Sequence, residues 1–294
     1  MHKENKNVLV TGGSGFLGSH IADELSERGY NVTIADIEPS KWKRDDQEMV
    51  VGDIRDENYI KEILKGKDIV FHLAALADLN AAKTRPVETA EINVKGTVNL
   101  LKEAVNNEIE KVLFASTVYV YSREGGFYRC SKQACESYIE EFQRKYGLDY
   151  TILRYGSLYG PRADEANGVY RLLKRAIEEG KVEHKGGPHD RREYIHVKDA
   201  AKLSVDALSD QYDNTNLVIT GNDTMKIRDL FFMISEMLGK EIDQKFDESE
   251  SNDGHYRVTP YAFTPKVGKK LTTPVYVDMG QGLLQVIERI HENK

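Results

Sequence analysis

The amino-acid sequence predicts an α/β fold, a doubly wound parallel sheet with a smaller C-terminal substrate-binding lobe. Two patterns indicate this fold. Through the first two-thirds of the chain, short apolar runs alternate with stretches whose apolar residues recur every three or four positions. A glycine-rich turn also follows directly after the first apolar run. Apolar strands separated by helices are typical of a parallel sheet that is covered on both faces.

Each predicted strand is a short run rich in apolar and β-branched residues. These runs are Asn7–Thr11, Asn31–Asp36, Glu48–Val51, Asp68–Leu73, Lys111–Ser116 and Tyr150–Tyr155. The helices predicted between the strands each have one apolar face. They are Phe16–Arg28, Glu57–Leu64, Pro86–Asn106 and Tyr128–Tyr146.

Beyond the sixth predicted strand the alternation becomes less regular. The helices predicted there are Gly168–Glu179, Asp199–Ser209, Ile227–Leu238 and Gln281–His291. The stretch Asp243–Gly254 is acidic and poor in apolar residues, which predicts an exposed loop. We therefore expect one domain over residues 1–165, completed by about 193–222, and a smaller lobe over 166–192 and 223–294.

Composition and charge exclude several classes of protein. The 294-residue chain carries a net charge of −7, which argues against broad binding to nucleic acid or anionic lipid. No apolar run approaches the roughly 20 residues needed to span a membrane, and the polar stretch Met1–Asn7 does not resemble a secretory signal. Cys130 and Cys135 are five positions apart in one predicted helix and face different directions, so we expect no disulfide between them and a cytoplasmic location.

The glycine-rich turn has the spacing expected of a phosphate-binding loop. Gly12, Gly15 and Gly18 form a G-x-x-G-x-x-G pattern between a strand and a helix. Glycines let the backbone turn sharply and approach a pyrophosphate, and the helix N-terminus supplies free N–H groups. We therefore predict a Rossmann-type dinucleotide site that also includes Phe16 and Leu17.

An acidic residue at the end of the second strand indicates which dinucleotide binds. Asp36 can accept hydrogen bonds from the adenosine ribose and would repel a 2′-phosphate, so Asp36 and Ile37 favour NAD over NADP. Asp53 and Ile54 follow the third strand and are expected to meet the adenine. The alternative for Asp53 is a cap on the helix predicted from Glu57.

A pair of residues at helical spacing predicts proton-transfer chemistry. Tyr128 and Lys132 form Y-x-x-x-K, so the phenol and the ammonium share one helix face. Ionising a phenol at pH 7 requires roughly 4 kcal/mol, because its usual pKa is near 10. The lysine and an oxidised nicotinamide would both lower that pKa. Without a phosphate loop, the same spacing would indicate only an amphipathic helix.

A hydroxyl group is predicted at the same edge of the sheet. Thr117 directly follows the strand Lys111–Ser116, at the carboxyl edge where such sheets bind ligands. Its hydroxyl can hold the reacting oxygen of a substrate, and Ser116 is the weaker candidate. The alternative is a strand-end hydroxyl that bonds its own backbone.

These motifs occur together in one known family. The chain resembles the extended short-chain dehydrogenase/reductases, a group that includes nucleotide-sugar epimerases, dehydratases and decarboxylases. The resemblance covers roughly residues 7–220 and rests on TGGSGFLG, GDI, HLAA, INVKGT, ASTVYVY, YRCSK, LRYGSLYGPR and RREYIHVKDAA, in the family's order.

The resemblance implies roles for individual residues. Thr117, Tyr128 and Lys132 would take the catalytic positions, with Lys132 also holding the nicotinamide ribose. Asn93, within the predicted cofactor site, would position the helix that supports it. The remaining cofactor residues implied are Leu73, Ala74, Ala75 and Tyr155.

The substrate side departs from the family pattern. Arg192 matches a position that often grips the diphosphate of a sugar nucleotide, and its forked guanidinium suits that role. Ser157 stands where relatives often have asparagine. Arg257 lies near a phosphate or base in one interpretation and on the solvated surface in the other. Val118 and Tyr119 occupy positions where dehydratases and decarboxylases usually carry an acid.

These features favour a nucleotide-sugar 4-epimerase that uses NAD. The alternatives are a nucleotide-sugar 4-dehydrogenase or ketoreductase with net redox, and a non-catalytic NAD-binding regulator. The interval from Thr117 to Tyr128 is short for the family, which is expected to reshape the sugar pocket.

Two further expectations concern assembly and metals. The helices Pro86–Asn106 and Tyr128–Tyr146 commonly form a two-fold interface in this family, so we expect a homodimer. The histidines show no metal-ligand spacing, so no metal is expected.

Overall fold

The computed structural model describes residues 6–247 and 256–263, all of which belong to one unit. Its strands are β1 Asn7–Thr11, β2 Asn31–Asp36, β3 Gln47–Val51, β4 Ile69–His72, β5 Lys111–Thr117, β6 Asp149–Tyr155, β7 Ser157–Tyr159, β8 Lys181–His184, β9 Arg191–His196, β10 Thr215–Ile219, β11 Thr224–Lys226 and β12 Asp243–Phe246. Its α-helices are α1 Phe16–Glu27, α2 Glu57–Ile63, α3 Leu79–Thr84, α4 Pro86–Thr89, α5 Gly96–Asn106, α6 Gly126–Tyr146, α7 Gly168–Glu179, α8 Val197–Asp206 and α9 Ile227–Leu238.

The central sheet confirms the predicted doubly wound topology. Within the described ranges it has seven strands in the order β10-β6-β5-β4-β1-β2-β3, and every neighbouring pair is parallel. The carboxyl ends of the strands therefore meet at one edge. Thr11, Asp36, His72, Thr117 and Tyr155 end five of these strands at that edge.

Both faces of the sheet are buried, as the apolar strands predicted. Successive side chains of a strand point to opposite faces. Val10 packs in the core beneath α1 and α8, whereas Leu9 packs in the core beneath α2, α5 and α6. Both residues are fully buried.

The long helix predicted over Pro86–Asn106 is interrupted. A π-helical segment, Ala90–Lys95, joins α4 to α5. Such segments admit one extra residue per turn and are frequent at functional sites. This one contains Asn93, which the sequence assigned to the support of the site.

One prediction for the smaller lobe is wrong. Asp243–Phe246 is not a loop but strand β12, which pairs in parallel with β8. Its side chains are largely exposed, so the apolar pattern of a strand is missing. Burial of Ile242 and the contact of Phe246 with Phe231 (ring centroids 5.3 Å apart) hold it in place. Positions 248–254 of the predicted loop and the predicted helix Gln281–His291 lie outside the described residues.

The two cysteines do not form a disulfide bond. Cys130 is exposed and Cys135 is buried, and both are free thiols. Within residues 6–247 and 256–263, no helix combines the length and apolar character needed to cross a membrane. The same ranges contain no group of three or more His, Cys, Asp or Glu side chains arranged to hold a metal ion.

Phe231 should be essential to the core of the smaller lobe. Its side chain is fully buried, so we expect Phe231→Ala to lower the free energy of unfolding by about 3–5 kcal/mol. The adjacent Phe232 is 62% exposed, and Phe232→Ala should change stability by less than about 0.5 kcal/mol. Equilibrium denaturation of both variants measures the difference, and equal losses would contradict the packing described here.

Candidate active site

A cavity of about 710 Å³ lies along the carboxyl edge of the central sheet. Most of the residues predicted from the sequence line it, although they are spread between positions 12 and 155 of the chain. The predicted residues in its lining are Gly12, Gly15, Phe16, Leu17, Gly18, Asp36, Ile37, Asp53, Ile54, Leu73, Ala74, Ala75, Thr117, Tyr128, Lys132 and Tyr155.

The phosphate loop leaves no room for side chains. Gly12 has φ +72°, and a Cβ there would lie 2.6 Å from Ala74 N. A Cβ on Gly18 would lie 2.2 Å from Gly12 O. Helix α1 begins after Gly15 without a side-chain cap, so its first N–H groups are free to bind an anion. This cradle fits the pyrophosphate of a dinucleotide.

Two aspartates that were predicted to meet the adenosine line the cavity. Asp36 Oδ2 accepts from Ser14 N at 2.9 Å, and its Oδ1 accepts from Ile37 N at 2.7 Å, so the carboxylate is fixed at the rim. Asp53 pairs with Arg55, whose hydrogen bonds lower the pKa of Asp53 below its usual value. The cap of α2 is Asp56 rather than Asp53, which removes the alternative role for Asp53.

Thr117, Tyr128 and Lys132 meet in the part of the cavity next to β5. Lys132 Nζ donates to Ala115 O at 2.7 Å and lies 5.8 Å from the centroid of the Tyr128 ring. Thr117 Oγ1 accepts from Tyr119 N at 3.3 Å, so it bonds local backbone and still lines the cavity.

Burial dominates the electrostatics of the tyrosine and the lysine. It lowers the pKa of Lys132 to about 8 and raises the pKa of Tyr128 above its usual value. The expectation that the lysine lowers the phenol pKa is therefore not met in this structure. The ammonium is directed at Ala115 O, and desolvation penalises the phenolate more than the distant charge favours it. A cationic ligand next to the phenol is needed to reverse this balance.

Asn93 supports the site without lining it. Its side chain is 1% exposed and bridges two elements, with Oδ1 accepting from Leu76 N at 2.7 Å and Nδ2 donating to Ser131 Oγ at 2.9 Å. Leu76 lies on the cavity wall and Ser131 precedes Lys132. Asn93 therefore ties the wall to α6 from behind, and no cofactor contact is available to it in this structure.

The predicted diphosphate residues lie outside the cavity lining. Tyr256 covers two of them, because its hydroxyl is 3.2 Å from Ser157 Oγ and its ring centroid is 4.7 Å from Arg192 Cζ. Arg257 has an exposed side chain and contributes only its carbonyl, which accepts from Arg191 N.

Sequence reasoning did not assign Tyr119 to the site. Its ring lines the cavity and packs 4.8 Å from that of Tyr256. An aromatic residue in the position of a family acid was the available signal. Tyr119 therefore forms part of the cavity wall that contacts Tyr256.

Known proteins resemble this chain over most of its length. The model of the NAD dependent epimerase/dehydratase family matches residues 8–219. The structure of UDP-N-acetylglucosamine 4-epimerase from Methanobrevibacter ruminantium M1, in complex with UDP-N-acetylmuramic acid, is 33% identical with a TM-score of 0.77, covering 89% of this chain and 90% of that one. The structure of UDP-glucose 4-epimerase from Thermotoga maritima with UDP-glucose is 28% identical with a TM-score of 0.79, covering 98% and 99%. UDP-N-acetyl-alpha-D-glucosaminuronate decarboxylase from Bacillus cytotoxicus is 31% identical over 252 residues, 76% of this chain and 78% of the relative.

The buried lysine should reduce stability in a pH-dependent way. The pKa of Lys132 is about 8 in the folded chain and 10.5 when the side chain is exposed. Between pH 8 and pH 10.5, the unfolded chain therefore holds a proton on Lys132 that the folded chain has lost. The resulting cost at pH 7 is on the order of 3 kcal/mol, at 1.36 kcal/mol per pKa unit. The cost is fully present below pH 8 and disappears as the pH rises through 10.5.

Lys132→Met should therefore stabilise the protein most at pH 7, and the gain should shrink as the pH rises from 8 to 10. Denaturant titrations across this range measure it. Lys102→Met, which removes an exposed lysine, is the control and should show no such trend. A gain that stays constant with pH would contradict the cost assigned to the buried cation.

Proposed function

This chain belongs to the NAD-dependent epimerase/dehydratase family, and we propose that it is a nucleotide-sugar 4-epimerase. One observation carries the proposal: Thr117, Tyr128 and Lys132 meet in a single cavity that continues to the phosphate loop. The solved 4-epimerases that it resembles, over 89% and 98% of this chain, support the choice within the family.

The side chains divide the chemistry between them. Thr117 and Tyr128 hold the reacting sugar hydroxyl, and the Tyr128 oxygen accepts its proton. Lys132 supplies a positive charge beside the cofactor ribose. When bound, NAD⁺ supplies a reversible hydride acceptor and the positive charge that favours the phenolate. The cycle has no net redox because both losses are reversed: the 4-keto sugar turns over in the pocket, hydride returns to the opposite face of C4, and Tyr128 returns the proton to the sugar oxygen.

The acids of the cavity argue against dehydration and decarboxylation. Among the described lining residues, the carboxylates are those of Asp36, Asp53 and Glu88. Asp36 ends β2 and Asp53 follows β3, three and four strands from β5, and Glu88 is paired with Arg85. No carboxylate among these lining residues is next to the catalytic tyrosine for a second proton transfer. The missing carboxylate argues against the decarboxylation for which the relative from Bacillus cytotoxicus is named.

The nucleotide diphosphate is assigned to the smaller lobe. We propose that Arg192 is its main ligand, with Ser157 and Arg257 beside it. Tyr256 packs on Arg192 and Ser157 in this structure, so its ring has to leave them when the diphosphate binds. A guanidinium already held at 8% exposure requires little further ordering.

The proposed homodimer would use α4 and α6. Val87 is 71% exposed and Phe127 and Tyr138 are each 47% exposed. Phe127 and Tyr138 are eleven positions apart and share one face of α6. Large exposed apolar side chains on one face are typical of an interface.

Tyr128→Phe should abolish turnover and leave NAD binding unchanged, because it removes only the hydroxyl that carries the proton. Purified protein incubated with UDP-, GDP-, dTDP- and CDP-sugars, followed for both C4 stereochemistry and cofactor absorbance, gives the measurement. Energy transfer from Trp42, the single tryptophan, to NADH reports cofactor binding. Inversion without accumulating NADH is expected of the unmodified chain. Net cofactor reduction would support a 4-dehydrogenase or ketoreductase, and turnover by Tyr128→Phe would contradict the assignment.

Sedimentation at micromolar concentration should give a dimer mass. Tyr138→Glu should give a monomer, because it places a charge in the apolar interface. Met237→Glu changes a residue that is 74% exposed on α9 and should leave the dimer intact. A monomeric parent would contradict the proposed interface.

A further inference from the structure

A buried ion pair lies directly behind the catalytic residues. Glu136 and Arg154 are each 5% exposed. Arg154 Nη2 donates to Glu136 Oε2 at 2.7 Å, and Arg154 Nε donates to Glu136 Oε1 at 3.0 Å. Ser116 Oγ donates a short hydrogen bond to the same Oε1. Each carboxylate oxygen therefore has a donor.

On the side away from Glu136, the guanidinium of Arg154 contacts two aromatic residues. Its Nη1 donates to the Tyr121 hydroxyl, and its Cζ lies 4.7 Å from the centroid of the Tyr121 ring. The ring of Phe263 lies 5.6 Å from the same Cζ. The guanidinium of Arg154 thus lies between the Glu136 carboxylate on α6 and two aromatic rings.

The Glu136–Arg154 pair involves residues before, within and after the short segment between Thr117 and Tyr128. Ser116 directly precedes Thr117, Tyr121 lies in the 3-10 turn Val118–Tyr121, and Glu136 lies on the helix that carries Tyr128. The pair therefore ties the start, the middle and the end of that segment to one point.

We propose that the Glu136–Arg154 pair is a positioning device that holds Thr117 against Tyr128 for proton transfer. The chemistry it serves rests on the proposed function, but the contacts do not. A pair that is merely structural would matter only for stability. A positioning pair matters for turnover when the fold is intact, since small displacements of reacting groups have large effects on rate.

The charge of Glu136 also reaches Lys132, one turn earlier on α6. Cys135 and Glu136 raise the pKa of Lys132 against the effect of burial. The pKa of Cys135 is itself raised and that of His72, which faces Lys132 from β4, is lowered to about 3, so both are neutral at pH 7. The phenol of Tyr128 is neutral as well. Glu136, partly offset by its partner Arg154 on β6, is then the anion that keeps Lys132 protonated.

The double variant Glu136→Met with Arg154→Met tests the proposal in the full-length chain with NAD bound. Removing one partner would leave a buried charge unpaired, whereas replacing both with apolar side chains preserves the fold. We expect a parental melting temperature, NAD affinity and KM, with kcat reduced on the order of 10- to 100-fold. The Lys132 ε-carbon, assigned in ¹³C NMR spectra by its loss in Lys132→Met, should titrate at a lower pH than in the parent.

The matched control removes an exposed ion pair from the same helix. Glu141→Met with Arg144→Met replaces side chains that are 52% and 77% exposed and should change none of these quantities. Ser116→Ala is a smaller change that cuts one link and keeps the charges, and it should lower kcat while leaving the Lys132 midpoint in place.

The outcomes distinguish the two proposals. A folded double variant with parental kcat overturns the positioning role, whatever its Lys132 midpoint. If the double variant does not fold, parental kcat in Ser116→Ala overturns it instead. If the parent converts no nucleotide sugar, the proposed function fails. A parental Lys132 midpoint in the double variant then overturns the electrostatic part of this inference, and a lowered midpoint supports it, because that measurement requires no substrate.

Discussion

The contact between helix α6 and strand β5 is the constraint on which the site depends. Lys132 reaches from the helix to Ala115 O at 2.7 Å, and Glu136, one turn later, accepts from Ser116. These two bonds set the helix against the end of the strand, so Tyr128 and Thr117 reach the same space. The parallel sheet then brings the phosphate loop to the same edge, and the long cavity follows from that alignment.

This arrangement has a cost in stability. A lysine with a pKa of about 8 and a phenol whose pKa is raised by burial are both held in a poorly solvated place. The protein neighbours alone do not bring the pKa of Tyr128 down into the range needed for proton transfer. In the proposed mechanism, the positive charge of bound NAD⁺ would complete the electrostatics, so the chemistry would be restricted to the cofactor-bound protein. Sites that trade stability for reactivity in this way are common in enzymes.

In the proposed function, the segment that follows Thr117 forms the sugar end of the cavity. It begins with Val118 and Tyr119, neither of which carries an acid. Val118 is fully buried, so Tyr119 alone of the two faces the cavity. Its packing against Tyr256 connects the catalytic residues to the segment that covers Arg192. In the proposed function, aromatic contacts rather than a carboxylate would therefore join the substrate-binding residues to the catalytic ones.

The sequence by itself determined the α/β fold, the strands that carry the cavity, the glycine loop and the tyrosine–lysine pair, because each is a local pattern of apolar period, glycine spacing or helical spacing. The comparisons with known proteins confirm the family that these motifs indicated. Only the tertiary structure decided that β12 is a strand, that Tyr256 covers Arg192, and that Glu136 and Arg154 pair behind the site. Those outcomes depend on residues far apart in the chain, whose contacts leave no periodic trace in the sequence.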